Sequence, residues 1–597
     1  MMGMVSSNFK RLFRLYKGQE KWLILSCLLN IVVAAGMLTI PAFSAGIINE
    51  GILAKDYDVA FDFGILTLIA ALIAGLAQVI NAAIAVWFSE YTSHKLRKQI
   101  FTKVQTFSFG NIDRFSASDL LVRITTDIQN VKIAIQQSVM NLLQVPLLLI
   151  GTILIMAVIS PSLVWIMIVL LVILTIILIL YFIIVEPAFS RKQERIDLLN
   201  RTLRETLAGI RVVKAFVRQD FEKKKFGDAA QSLKVAAIIP QRYIALLMPS
   251  VYLLTFLGFA GIYYFGGIGV LSGIEGMNVG AVTASAEYIM ILMMPLLIIA
   301  VILPFITAAN SSLARIYEVL DTVPEISEPV SPVAINPEAI KGRVEFDHVS
   351  FGYLDNNGKP TGEILNDICL TAEPGQTIGF LGSTGSGKTT LLSLIPRFYD
   401  CTAGKVTIDG VDVRDFQEKT LRKIVGVCLQ EPVLFSGAIR DTIGFGNEKI
   451  TDDEIRLASR YADAEDFIMN IPENYSARVA RRGANYSGGQ KQRLSIARAL
   501  AIRPKILILD DSTSACDVAT EARIQDSISS VMKGITLFII AQRISSVITA
   551  DKIVLLDKGR IVGMGSHDEL LASDPLYQEI YASQLGSGVL KSGGMNS

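Results

Sequence analysis

Charge is scarce in this sequence, and cysteine scarcer. Of 597 residues only 19% are charged while 51% are hydrophobic, a balance too apolar for an ordinary soluble chain of that size, so part of it must reside in lipid. Acidic and basic residues nearly cancel, and a formal net charge of +1 removes the bulk positive field with which a protein gathers nucleic acid. Five cysteines, Cys27, Cys369, Cys401, Cys428 and Cys516, lack CxxC spacing, which argues against a structural zinc site and against a disulfide framework. A cleavable leader is not indicated either. The first apolar run, Trp22 to Asn49, is far longer than a signal-peptide core and reads as a retained span.

What is present begins with uncharged stretches at 22–49, 63–89, 133–185, 243–274 and 288–314. A span needs about 20 apolar residues, so the third stretch holds two helices divided at Ser160-Pro161-Ser162, and the total is six. Basic residues crowd the segment before the first span (Lys10, Arg11, Arg14, Lys17, Lys21) and the loops after the second and fourth, whereas Lys55 is nearly alone on the other side. The positive-inside rule therefore places both termini in the cytoplasm of a multi-pass membrane protein. Residues 9–19 interleave basic, aromatic and leucine side chains and predict an interfacial helix. The loops at about 90–132 and 186–236 keep helical spacing of apolar residues, as in Ile196, Leu199, Leu203 and Leu207, so spans two to five continue as rods beyond the bilayer.

After a Pro-rich connector, Val323 to Pro337, short β-rich runs alternate with amphipathic helices. That is the pattern of an α/β nucleotide-binding domain. Parallel strands are predicted at 377–381, 424–429, 505–509, 536–540 and 552–556, with an antiparallel subdomain built on 344–351 and 405–408. The expected division is an N-terminal segment 1–20, a transmembrane domain 21–322, a linker 323–340, a nucleotide-binding domain 341–585 that includes a helical subdomain, and a flexible tail 586–597.

The first of these strands runs into Gly382-Ser383-Thr384-Gly385-Ser386-Gly387-Lys388-Thr389-Thr390, and a helical pattern follows. Glycines at those positions let successive N–H groups turn toward a phosphate, Lys388 reaches its outer oxygens, and the Thr389 hydroxyl can ligate Mg²⁺ beside ATP. Asp510, at the end of the apolar strand 506–509, is placed to hold the metal's water shell. A plain alternative for Asp511 or Ser512 is an N-cap for the next helix.

Ser487-Gly488-Gly489-Gln490 before the helical LSIARALAI could be no more than a cap. Together with the phosphate loop, however, it resembles the signature of ATP-binding cassette (ABC) exporters whose transmembrane domain comes first, over about residues 10–585. The resemblance implies that this turn closes on ATP bound to another subunit, so that a dimer is required. It also implies adenine stacking by Tyr353, Mg²⁺ contact and state sensing by Gln430, a seam-crossing Asp517, and docking helices at 110–128 and 207–216. Tyr353 could instead be a cross-strand pair, and Gln430 a turn residue.

Four positions depart from the family pattern. Asp511 and Gln542 stand where a catalytic glutamate and a histidine are usual, Arg481 where a glutamate is usual, and Tyr486 where a leucine is usual. Asp511 is one methylene short, and a loss of about 1 Å of reach can cost on the order of a hundredfold in rate. The expectation is therefore a heterodimer in which this chain contributes a degenerate site and a second half-transporter an active one. The expected activity is ATP-driven export of hydrophobic or amphipathic compounds, such as drugs or lipids. Alternatives are a lipid, peptide or metal-chelate transporter, or an ATP-binding regulatory subunit. No basic residue lies between Arg242 and Arg315; Gln78, Asn81, Met248, Tyr252, Met290, Met293 and Met294 are candidate cavity residues, and Glu275 and Glu287 the only charges.

Overall fold

The computed structural model describes residues 8, 10–12, 14, 16–274, 277–353, 361–447, 449–531 and 534–585. Glu275, the tail 586–597 and three residues of the expected interfacial helix, Phe9, Phe13 and Leu15, lie outside them. The chain forms two compact units. One comprises the described residues to Val104 together with Ser118–Asp321; the other comprises Gln105–Ala117 and the described residues from Thr322 onward.

The first unit contains six helices long and apolar enough to cross a membrane: Glu20–Ile52, Tyr57–Val104, Ala117–Ile159, Pro161–Ala208, Gln219–Leu271 and Val279–Asp321. The turn at Pro161–Leu163 divides the third from the fourth. The fifth runs for 53 residues. At about 1.5 Å per residue that far exceeds a hydrocarbon core about 30 Å thick, so the extra turns are cytoplasmic. The sixth helix is also longer than its apolar run, ending at Asp321.

Because lipid offers no hydrophobic drive between helices, small residues and polar pairs hold the bundle. A Cβ on Gly36 would come within 2.7 Å of the Ala74 methyl, so glycine sets how closely the first two helices approach. Further along the same two helices, the Ser26 hydroxyl donates to Asn81 Oδ1 at 2.6 Å, and Asn81 Nδ2 donates to Asn30 Oδ1 at 3.2 Å. Asn81 is thus a buried strut rather than a cavity residue, and Met293 is likewise enclosed in the apolar core. Met248, Tyr252, Met290 and Met294 are exposed on this unit. Glu287 shares a side-chain hydrogen bond with Ser44. Near the start of the chain Leu12 and Tyr16 are buried, the Tyr16 ring packs at a tilt against Phe88 with centroids 4.4 Å apart, and Arg11 forks onto Asp321 at 2.6 Å. The segment is therefore packed onto the bundle, a stronger tie than an interfacial helix requires.

The second unit is built on a six-stranded sheet in the order 560–565, 552–557, 377–381, 536–540, 506–510, 425–428. All neighbours are parallel except the antiparallel edge Arg560–Gly565. Alternate residues feed two cores: Ile506, Ile508, Phe538 and Ile540 pack on one face, Leu507, Leu509, Leu537 and Ile539 on the other. Burial on both sides is why these strands read as continuous apolar runs. An antiparallel sheet, in the order 365–372, 344–351, 403–408, 411–412, adjoins it. Strands Leu365–Ala372 and Arg560–Gly565 were not expected: the first carries polar residues along an edge, and the second holds two glycines.

The turn between the second and third long helices belongs to this unit. Its helix Phe109–Arg114 lays Phe109 parallel to Phe398 at 4.1 Å, and Tyr399 donates its hydroxyl to Asp113 at 2.6 Å. Asn111 fixes the connector, donating to the Val323 carbonyl and accepting from the Glu325 amide. The other short helix, Ile210–Ala215, and the turn that follows it present Val212, Phe216 and Val217 at 60–78% exposure.

Candidate active site

The strand Thr377–Leu381 delivers the chain into a loop whose glycines adopt φ values closed to ordinary residues: +148° at Gly382, +85° at Gly385 and +103° at Gly387. A side chain on Gly382 would collide with the Leu556 carbonyl. The loop therefore folds only with glycine there, and it turns directly into the helix Lys388–Ser393, whose start is the kind of place where backbone amides meet a phosphate. Lys388 reaches back over that turn. Its ammonium donates to the carbonyls of Gly382 and Ser383, both at 2.8 Å, and to the Ser386 hydroxyl at 3.2 Å. Burial lowers its pKa, an effect opposed by Asp510 and Asp511.

The adjacent strand Ile506–Asp510 ends at the same place. Thr389 donates its hydroxyl to Asp510 Oδ1 at 3.1 Å, so the hydroxyl and carboxylate expected to hold a metal do meet. Burial holds the Asp510 carboxyl above its usual range, and Thr389 works against that shift. This chemistry fits Mg²⁺, a hard cation that takes oxygen ligands.

Asp511 sits at φ +46° and does not cap a helix; the next helix starts at Val518, where Asp517 Oδ1 accepts from the Thr520 amide at 2.7 Å. Two amides instead clasp Asp511. Gln542, just beyond the strand Thr536–Ile540, donates to Oδ2 at 2.7 Å, and Gln430, just beyond Val425–Cys428, donates to the same oxygen at 3.3 Å. Burial raises the Asp511 carboxyl, while the two amide bonds lower it. The three residues singled out separately in the sequence thus form one cluster.

Tyr353 bonds through its hydroxyl to Thr390 at 3.1 Å and packs edge-on against Phe351 and Tyr399. It is anchored to the helix that follows the phosphate loop. Ser487 caps the helix Gly488–Ala501 in a reciprocal box: Ser487 Oγ accepts from the Gln490 amide, and Gln490 Oε1 accepts from the Ser487 amide. Among the described residues no hydrogen bond joins Ser487–Gln490 to the loop 382–390. Sequence reasoning missed Gln492. This buried amide accepts from the Ala515 N–H at 2.9 Å and donates to Ser514, whose hydroxyl donates to the Asp511 carbonyl. Its one signal was an amide at a position that helical spacing places on the same face as the buried Ile496 and Ala499.

Two family descriptions match the chain: "ABC transporter transmembrane region" over residues 23–296 and "ABC transporter" over 365–514. The second implies the use of ATP with Mg²⁺. An uncharacterized ABC transporter ATP-binding protein of Mycobacterium bovis is 35% identical over 93% of this chain and 95% of its own length. Another, YfiB of Bacillus subtilis, is 34% identical over 94% and 96% respectively. Among solved structures, a bacterial Atm1-family ABC exporter with ATP bound shares the fold with a TM-score of 0.77 and 24% identity, over 95% of this chain and 99% of that one.

These likenesses correct the expected assembly. The Atm1-family exporter works as a homodimer of identical catalytic subunits, not as a pair with one degenerate site, and the expected heterodimeric partner with an intact glutamate and histidine is abandoned. The reason is physical. Asp511 and Gln542 bear on how fast a site turns over and carry no information about which surface faces it. The family matches support an ABC transporter with a fused transmembrane and ATP-binding domain and do not extend to a degenerate-site subunit.

Proposed function

Because the chain belongs to the ABC transporter family, with a transmembrane region fused to its ATP-binding domain in a multi-pass protein of the bacterial cell membrane, we propose that two copies of it close around ATP and use that closure to drive export. The observation that carries this reading is the division of the site. The Ser487 and Gln490 amides are taken by each other's side chains, which leaves the N–H groups of Gly488 and Gly489 to a second copy's nucleotide.

In each composite site the amides of 382–387, with Lys388 and Thr390, cradle the phosphates and Tyr353 faces the adenine. The second copy's Ser487, Gly488, Gly489 and Gln490 close over the terminal phosphate, with Asp517 at the seam. Mg²⁺, held by Thr389, Asp510 and Gln430, would offset the phosphate charge. Asp511 accepts a proton from the attacking water as its oxygen bonds to the terminal phosphorus and the bridging bond to ADP breaks. Gln430 and Gln542 aim that carboxylate. Lacking one methylene, it turns over slowly, by about a hundredfold against a glutamate.

For the cargo, a lipid, peptide or metal chelate is better supported than a hydrophobic drug. Likeness to the Atm1-family fold favours it, and the exposed guanidinium of Arg242, where the apolar part of the fifth helix begins, suits a molecule that carries negative charge. The clasped, shortened Asp511 keeps a second reading in play, an ATP-binding regulatory subunit with little hydrolysis.

Mixing two inactive variants of the purified transporter tests the composite site. Lys388→Ala and Ser487→Ala chains, each inert alone, should regain ATPase activity when co-assembled, because one interface then unites an intact loop with an intact signature. No recovery would refute the two-copy site. Cargo-stimulated hydrolysis in sealed vesicles separates the exporter from the regulatory subunit.

A further inference from the structure

Away from the nucleotide site, on the antiparallel sheet, three side chains of metal-binding chemistry converge. His348 Nδ1 lies 2.6 Å from Asp367 Oδ1 and 3.5 Å from Cys369 Sγ. One ligand atom from each of the three falls within 4.8 Å of the others, and all three residues are exposed. The backbone is distorted to bring this about. Between the pairs Phe346↔Leu370 and Val349↔Ile368, two residues on one strand, 347 and 348, face Cys369 alone; between Val349↔Ile368 and Phe351↔Leu365, residues 366 and 367 face Ser350 alone. His348 and Asp367 occupy these two bulges at φ +50° and +54°. Bulges re-aim side chains, and positive φ in residues other than glycine is held only where the surroundings enforce it. An exposed His–Asp pair adds little stability, so the pairing alone does not account for two strained positions.

We propose that His348, Asp367 and Cys369 form a binding site for a borderline-soft divalent cation, with Zn²⁺ the best match. At a tetrahedral zinc, with Zn–N about 2.0–2.1 Å and Zn–S about 2.3 Å, the nitrogen and sulfur stand about 3.6 Å apart. The 3.5 Å between His348 Nδ1 and Cys369 Sγ meets that span without movement. The Asp367 carboxylate must swing outward by less than 1 Å, roughly the difference between a hydrogen bond and a pair of shared zinc ligands; at 66% side-chain exposure it is free to do so. The thiolate and imidazole favour zinc over Mg²⁺ or Ca²⁺, and three protein ligands leave the fourth position to water. The site does not follow CxxC spacing because its ligands come from two strands, one supplying His348 and the other Asp367 and Cys369. None of the three belongs to the phosphate loop, the Asp511 clasp or the signature turn.

Cobalt(II), a spectroscopic probe for zinc sites, tests the assignment on the tag-free, full-length transporter. Titration should produce a thiolate-to-metal charge-transfer band that saturates at one cobalt per chain and is displaced by Zn²⁺. Cys369→Ser should abolish the band. His348→Asn, which keeps a residue tolerant of positive φ, should weaken binding by about tenfold or more. Cys401→Ser should leave the titration unchanged, and nucleotide binding should be unaltered in every variant. A band that persists in Cys369→Ser, or no saturable cobalt binding by the parent protein, would overturn the proposal.

Discussion

Gln542 binds the same oxygen of Asp511 that Gln430 reaches from the other side, at 2.7 Å and 3.3 Å. A carboxylate fixed by two neutral amides keeps its charge available while losing its freedom to turn. Removing either amide should cost orientation more than nucleotide affinity. Gln542→Ala is expected to lower kcat for ATP about tenfold with little change in KM, measured by steady-state phosphate release. A matching fall in nucleotide affinity would point to direct phosphate binding by Gln542.

Asp511→Glu restores the missing methylene. If reach limits hydrolysis, this variant turns over ATP faster than the parent by about tenfold or more, while Asp511→Asn abolishes turnover and retains ATP. A slower glutamate variant would mean that the clasp is fitted to the shorter side chain.

Burial raises the carboxyl groups of Asp510 and Asp511 above their ordinary range. The folded domain therefore favours their protonated forms; that contribution to stability is full below about pH 4 and is lost as pH rises through the folded-state values. At neutral pH both ionised groups burden the nucleotide-free fold. Asp510→Asn retains an oxygen for the Thr389 hydroxyl and should raise Tm by a few degrees at pH 7, the gain shrinking as the pH falls toward about 4. Thermal melts of the full chain across that range report it directly.

Among the contacts of the turn carrying Phe109–Arg114 are an aromatic stack, Phe109 on Phe398, and a hydrogen bond, Tyr399 to Asp113. Neither touches the phosphate loop. Phe109→Ala should leave basal ATP hydrolysis within about twofold while abolishing its stimulation by cargo, since a lost aromatic contact weakens transmission rather than chemistry. Equal loss of both activities would instead indicate damage to the domain.

Much of this was readable from the residues alone, for reasons of local physics. The phosphate loop needs glycine at fixed positions, the spans need uninterrupted apolar length, and the parallel strands are apolar because both faces are covered. Six spans and the five parallel strands follow from those demands. Edge strand Leu365–Ala372 obeys a weaker rule and was missed. Contacts made by tertiary folding left no local trace: Asn81 looked like a cavity residue until Ser26 and Asn30 were seen beside it, and Gln492 gave no hint that it tied the signature helix to the loop after Asp511. The identity of the partner was read wrongly. Asp511 and Gln542 describe chemistry within a site, and chemistry within a site does not choose a neighbour.

The ammonium of Lys388 already has three oxygen acceptors in its own loop. An entering molecule must therefore offer that nitrogen something better than two carbonyls and a hydroxyl, and only concentrated negative charge does so. Admission is decided at the phosphate end: a bare nucleoside, however well its base stacks, leaves this latch shut, whereas a polyphosphate of almost any base can spring it.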